Sequence, residues 1–137
     1  MSEEYSPSDY LLAAENVYLA FVEGGKAVSL TPNENAWLRL AIIACYNAAF
    51  HSIYLNLLKD PIINEEINNL IKEQKINLHR YIIEKSIEKF GLDEILELYE
   101  LKIKAEFFLP HEYNISIKDL ERAIKIASNI IAKFKSD

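Results

Sequence analysis

The stretch that decides the fold runs from Trp37 to Leu58 and reads WLRLAIIACYNAAFHSIYLNLL. It contains neither proline nor glycine, and its apolar side chains fall on every side of a helix instead of forming one stripe. Such a helix has to be covered on all sides. We therefore predict that it is the central helix of a bundle and that it also lies in a subunit interface.

The residues on either side of this stretch mark further helices. Helix starts are indicated by three capping sequences, Ser6–Asp9, Thr31–Glu34 and Ser116–Asp119. Helix ends are indicated by Gly24–Gly25, Asp60–Pro61, Gly91 and Pro110. Asp60 and Asp93 are each expected to cap the helix that follows them. The predicted helices span residues 7–23, 32–59, 62–73, 77–90, 93–109 and 117–135.

The composition restricts the fold class. The chain has 137 residues, which fits one domain over residues 1–137, and it contains only three Gly and four Pro. An all-β fold needs many more turn residues than that. We predict an all-α, up-and-down bundle of four or five helices. The single cysteine, Cys45, excludes a disulfide framework and a multi-cysteine zinc site.

Charge and hydropathy exclude several classes of partner. A net charge of -6 argues against a broad, sequence-independent grip on nucleic acid, although a small local RNA site stays compatible with it. No uninterrupted apolar run is long enough to span a bilayer, so we predict no membrane partner. The N-terminus is acidic where a secretory signal would be basic, which predicts a cytoplasmic protein. No metal or cofactor site is predicted.

Three polar side chains stand out within the apolar stretch. Asn47 and His51 are four residues apart and share a helix face, and Tyr54 follows about one turn later. One interpretation is a site in which an imidazole that titrates near neutral pH is oriented by an amide, with a phenol close by. The other is that all three are packed and hydrogen-bonded inside the fold. Both interpretations require partners, because an unpaired buried polar group costs about 1–3 kcal/mol.

Two segments resemble the HEPN superfamily. Residues 46–58 read YNAAFHSIYLNLL, which is similar to the Tyr-Tyr-Ala-Ala-Phe-His-Ala-Ala-x-Ala-Leu-Leu pattern of that family's second helix. Residues 102–107 read KIKAEF and resemble the family's Arg-x-x-Ala-Asp-Tyr. His79 lies where many members carry a His before their third long helix. The resemblance implies a compact helical bundle that commonly forms a two-fold dimer.

The resemblance also implies a range of activities. Many HEPN domains are metal-independent ribonucleases in which an Arg precedes a His by a few residues, with Asn often following the Arg. Asn47 and His51 match that Asn and His, but Tyr46 occupies the place of the Arg. Tyr has no positive charge and cannot replace a guanidinium as a phosphate clamp. The remaining candidate cations are Arg39, nearly two turns before Tyr46 on about the same face, and Arg80 beside His79.

The loss of the motif Arg favours binding over turnover. Other HEPN domains bind nucleotides or pair with small nucleotidyltransferases in toxin–antitoxin modules. The resemblance therefore implies an RNA-, nucleotide- or nucleotidyltransferase-binding protein of a toxin–antitoxin or defence-type module, which we predict to be a homodimer. The predicted ligand-binding residues are Asn47, His51, Tyr54, Tyr46, Arg39, His79 and Arg80. Two alternatives stay open: a metal-independent ribonuclease toxin in which His51 and Asn47 are catalytic, and a purely structural dimerisation domain.

Overall fold

The computed structural model describes residues 6–23, 32–73, 78–109 and 111–135. Within these ranges the chain is all-helical, as predicted. The helices are α1 (Pro7–Glu23), α2 (Pro32–Leu57), α3 (Pro61–Lys72), α4 (Leu78–Phe90), α5 (Glu94–Phe107) and α6 (Ile117–Lys135). The predicted helix bounds differ from these by no more than two residues.

Helix α2 is the centre of the fold. It packs against α1, α4, α5 and α6, whereas α3 packs against α4. The described part of the chain therefore has six helices, and the bundle consists of α2 and the four helices packed around it. Helices α2 and α5 are antiparallel, because Arg39 reaches the carboxyl end of α5 and Tyr46 lies beside Tyr99 nearer its start.

The sequence signals for helix ends mostly act as predicted. Asp60 caps α3 by accepting hydrogen bonds from the amides of Ile62 (2.9 Å) and Ile63 (3.3 Å). Ser116 and Asp119 bond reciprocally at the start of α6. Gly91 ends α4 with φ of +69°, a conformation in which side chains other than Gly are strained.

One predicted cap is wrong, and three signals lie outside the described residues. Asp93 precedes α5, but its backbone is helical and its side chain makes no capping hydrogen bond. A cap residue normally has extended backbone, which aims its side-chain oxygen at the helix amides. Thr31, Gly24–Gly25 and Pro110 are outside the residues that the structure describes.

The core forms where α6 and α2 meet. Along α6 the fully buried positions recur at three-and-four spacing, and they include Leu120, Ala123, Ala127 and Ile130. On α2 the buried positions include Leu38, Ile42, Cys45, Ala49 and Ile53. In both lists two small side chains lie between large ones, Ala123 and Ala127 on α6 and Cys45 and Ala49 on α2, which lets the two helices approach closely there.

One face of α2 and of the turn that follows it is only partly covered by the described chain. We call it the open face, and its residues are all half-buried or exposed: Leu40, Ile43, Ala44, Asn47, His51, Tyr54 and Leu58. It lies between α1, whose Tyr10 contacts His51, and α4, whose His79 contacts Phe50. The prediction that α2 is the central helix is confirmed, but the bundle covers only part of its apolar surface.

By length and composition alone, the Glu34–Leu57 part of α2 also resembles a membrane-spanning helix. Half of the apolar window concerned is buried inside the fold. The packing of α1, α4, α5 and α6 around α2 accounts for that apolar character, as it does for core helices generally.

Arg39 connects α2 to the end of α5. Its guanidinium donates hydrogen bonds to the carbonyl oxygens of Lys104 (3.2 Å), Ala105 (3.0 Å), Phe108 and Tyr113 (3.1 Å). Its Nε donates to the Asn35 side chain at 2.6 Å. The last carbonyl groups of a helix have no hydrogen-bond partner within the helix, and a cation there also interacts favourably with the negative end of the helix dipole. Arg39 therefore holds the carboxyl end of α5 and the connection that follows it.

Replacement of Arg39 tests this structural role. We expect Arg39→Ala to lower the free energy of unfolding by about 2 kcal/mol, because several hydrogen bonds from a charged donor are lost. Arg80→Ala is the matched control, since Arg80 is exposed and pairs only with Glu84 one turn away. Urea unfolding followed by circular dichroism measures both. An Arg39→Ala protein as stable as Arg80→Ala would contradict the role.

Candidate functional site

Asn47, His51 and Tyr54 lie together on the open face of α2, as their spacing predicts. All three are half-buried. Among the described residues, the side-chain amide of Asn47 has no hydrogen-bond partner. The ring of Tyr10 from α1 meets the His51 ring edge-on, with centroids 5.7 Å apart. The open face therefore presents an amide and an imidazole beside an aromatic ring.

Tyr46 and His79 form a second group, behind the open face. The Tyr46 hydroxyl and His79 Nε2 are hydrogen-bonded, although 33 residues separate them in sequence. The Phe50 ring stacks on the His79 ring with centroids 4.4 Å apart and an interplanar angle of 11°. Tyr99 of α5 lies 5.6 Å from each of the Tyr46 and His79 rings. We call Tyr46, Phe50, His79 and Tyr99 the aromatic cluster.

Lys102 supplies the positive charge next to the aromatic cluster. Its Nζ is 5.7 Å from the Tyr46 ring centroid and 6.0 Å from that of Tyr99, within reach of a cation–π contact. The same ammonium pairs with Glu106 at 2.6 Å, and only 18% of the Lys102 side chain is exposed. Lys102 is thus already engaged by groups of its own helix and by the cluster.

Burial controls the ionisation of these groups. Desolvation lowers the pKa of His51. Desolvation and the nearby positive charge of Lys102 both lower the pKa of His79. Both imidazoles are therefore neutral at pH 7. Desolvation also raises the pKa of Tyr46, so its phenol stays protonated. The site can exchange hydrogen bonds, but it carries no fixed charge apart from the Lys102–Glu106 pair.

The two histidines are separated by one ring. Phe50 stacks on His79, and its centroid is 6.2 Å from that of His51. His51 belongs to the open face, whereas His79 hydrogen-bonds to a fully buried tyrosine. Two of the predicted ligand-binding residues, His51 and His79, are therefore neighbours, but His51 belongs to an outward group and His79 to an inward group.

The arginines lie elsewhere. Arg39 is bound to backbone carbonyls at the end of α5, Arg80 is exposed and pairs with Glu84 at 3.0 Å, and Arg122 pairs with Glu97 at 2.8 Å. These are the three arginines of the sequence. The structure therefore places no guanidinium beside Asn47 or His51, which matters for any chemistry on phosphate.

Metal and thiol chemistry find no support at this site. The described residues contain no group of three His, Cys, Asp or Glu side chains that is arranged to hold a metal ion. Cys45 is fully buried, and desolvation raises the pKa of its thiol to about 12. A thiol with such a pKa is protonated and unreactive near neutral pH. Cys45 is a core residue, as its apolar neighbours in the sequence indicate.

Sequence reasoning missed Tyr10, Tyr99 and Lys102. Tyr99 and Lys102 are three apart on α5, so their shared face was predictable from spacing. Their proximity to Tyr46 depends on how α5 packs against α2, which spacing does not reveal. The contact of Tyr10 with His51 likewise depends on the packing of α1.

The lowered histidine pKa values predict acid sensitivity of the fold. Unfolded imidazoles take up protons below about pH 6.5, whereas the folded protein resists protonation, so stability is lost as pH falls from 7 to 5. We expect the loss of stability between pH 7 and pH 5 to be smaller in His79→Gln than in the parent. We expect it to be smaller still in the double variant His51→Gln/His79→Gln. Urea unfolding at a series of pH values measures it. The parental pH dependence in His79→Gln would show that His79 titrates as in the unfolded chain.

The comparisons with known proteins found no match. No family model matches the chain, and no curated protein or solved structure does. The geometry of the open face and the aromatic cluster is therefore the basis for assigning a function.

Proposed function

We propose that this chain is a non-catalytic, HEPN-like binding protein that dimerises through the open face of α2. A nucleotide or an unpaired RNA base would bind in the cleft around Asn47 and His51. The observation that carries this proposal is the position of these two side chains on a face of α2 that the described chain covers only in part.

The spacing of the open face supports a second copy of the chain as its cover. Leu40, Ala44, Asn47, His51, Tyr54 and Leu58 follow each other at alternating intervals of four and three residues. This is the seven-residue repeat by which two helices pack along a common seam. None of these side chains is charged, so nothing on the seam repels an identical copy. A polar Asn within such a seam restricts the register of the two helices.

The centre of the open face has the chemistry of a base-recognition site. The Asn47 amide has both donor and acceptor atoms, which matches the edge of a nucleobase. His51, neutral because burial lowers its pKa, offers one donor and one acceptor nitrogen. The ring of Tyr10, whose centroid is 5.7 Å from that of His51, provides an aromatic surface on which a base can stack. Phosphate is not gripped at this point, since no arginine is near.

The missing guanidinium supports binding over cleavage. A ribonuclease of this type needs a positive charge on the phosphate as well as a histidine to move the proton. Arg39 is bound to the α5 carbonyls, and Lys102 is paired with Glu106. The lowered pKa of His51 does suit a general base, so a metal-independent ribonuclease is the second candidate.

Variants of the polar pair test ligand binding. We expect the double variant Asn47→Leu/His51→Leu to bind AMP or a short single-stranded RNA about tenfold more weakly than the parent, because two hydrogen-bonding groups are lost. Isothermal titration calorimetry measures the affinity, and Arg122→Ala is a control remote from the open face. If the double variant bound as the parent does and were only more stable, the two residues would be packing residues.

The same protein samples separate the alternatives. If the parent cleaved the RNA without divalent metal and His51→Ala did not, the protein would be a ribonuclease and not a binding protein. The HEPN resemblance implies a small nucleotidyltransferase as a protein partner. If the parent bound a co-expressed nucleotidyltransferase but neither AMP nor RNA, the site would be a protein-binding site. If the protein formed a dimer but bound none of these, it would be a purely structural dimerisation domain.

The dimer itself has an independent test. We expect Leu40→Glu to shift the protein from dimer to monomer, because two like charges would then face the seam. Leu40 is 58% exposed, so the substitution does not disturb the core. Leu96→Glu is the matched control, since Leu96 is 52% exposed on α5. Sedimentation equilibrium measures the mass. A monomeric parent, or a monomeric Leu96→Glu, would contradict dimerisation through the open face.

A further inference from the structure

The boundary between α1 and α6 carries two adjoining grooves on the surface. One, of about 360 Å³, is lined on its α1 side by Ser8, Asp9, Leu11, Leu12 and Glu15 and on its other side by α6. The other, of about 340 Å³, is lined by Glu15, Tyr18, Leu19, Glu121 and Ile124. Glu15 lines both grooves, so they adjoin along α1, and we call the furrow made up of the two the α1–α6 seam. It is separate from the open face of α2, which α1 reaches through Tyr10.

The α1–α6 seam is apolar and accessible. Leu12 and Leu19 on its rim are 55% and 44% exposed. They are seven residues apart, which places them two helical turns apart on the same face of α1. Half-buried Leu11 and Ile124 form part of its floor. Large apolar side chains held at the edge of a groove in this way are typical of a surface that binds a partner.

The polar groups of the seam carry charge of one sign. Its charged lining residues are Asp9, Glu15 and Glu121, and no lysine or arginine is among the described residues that line it. Asp9 accepts a hydrogen bond from the Ser6 amide, and Glu121 accepts one from the Tyr18 hydroxyl at 2.7 Å. Helix α1 contains no basic residue at all.

Glu15 occupies the middle of this furrow. Its side chain is half-buried, and among the described residues it has no hydrogen-bond or ion-pair partner. Its charge is felt in the interior, where it contributes to the raised pKa of Cys45. A carboxylate in a partly apolar groove gains more from a cation than an exposed one does, because water screens the pair less.

We propose that the α1–α6 seam docks a short, basic amphipathic helix of a partner protein, with a lysine or arginine of that helix paired to Glu15. From Ser8 to Leu19 the furrow is about 17 Å long, which accommodates about three helical turns. The apolar side of such a helix packs between Leu12, Leu19 and Ile124, in the helix-in-groove mode of recognition. Its positive charges complement Asp9, Glu15 and Glu121.

A designed peptide tests the seam. The probe is a fluorescein-labelled peptide of about three helical turns, with leucines at three-and-four spacing and lysines on both flanks, measured by fluorescence anisotropy. We expect Glu15→Gln and Leu19→Ser each to weaken its binding about fivefold, through the lost ion pair and the lost apolar contact. The controls remove the same groups elsewhere: Glu100→Gln and Leu96→Ser, both exposed on α5, keep the parental affinity.

Several outcomes would overturn the assignment. Equal binding of a peptide with glutamates in place of the lysines would remove the charge argument. Equal weakening by Glu100→Gln would show that the peptide responds to the overall charge of -6 and not to the α1–α6 seam. Equal weakening by Leu96→Ser would show that an exposed leucine elsewhere serves the peptide as well. Self-association of the parent that is lost in Leu19→Ser would make a second copy the occupant. NMR shift changes at the open face instead of at Leu12 and Leu19 would also refute it.

Discussion

The burial of α2 is the constraint on which the rest of the structure depends. A helix that is apolar on nearly every side is unstable in water unless other elements cover it, and four helices of this chain do so. Each covering helix contributes a buried row, such as Ile95, Leu98 and Leu101 on α5. At about 25 cal/mol for each Å² of apolar surface removed from water, this coverage is the main term that favours folding.

The arrangement around α2 also sorts its polar side chains by their role. Tyr46 faces α4 and α5, where burial makes the hydrogen bond to His79 necessary. Asn47 and His51 face outward, where the bundle ends and the chain supplies an aromatic neighbour from α1. Adjacent residues on one helix therefore serve different purposes: one joins helices within the fold, and the others are available to a ligand or to a second copy.

The use of charge in this protein is mainly structural. Arg39 satisfies the end of α5, Arg122 joins α6 to Glu97 of α5, and Lys89 joins α4 to Asp60 at the start of α3. With the arginines so engaged, the open face is left with hydrogen-bonding groups and aromatic rings. The α1–α6 seam, by contrast, keeps carboxylates beside exposed leucines. The two surfaces thus differ in chemistry and suit different partners.

The helices and the shared face of Asn47, His51 and Tyr54 were predictable from the amino-acid sequence, because capping residues, glycine and three-and-four spacing act locally along the chain. The prediction failed at Asp93, where the backbone in the fold is already helical. The packing of the helices was needed to show which face of α2 stays open, that Arg39 binds the end of α5, and that Tyr46 contacts His79. These contacts join residues far apart in sequence, and they follow from how whole helices pack, which no local pattern encodes.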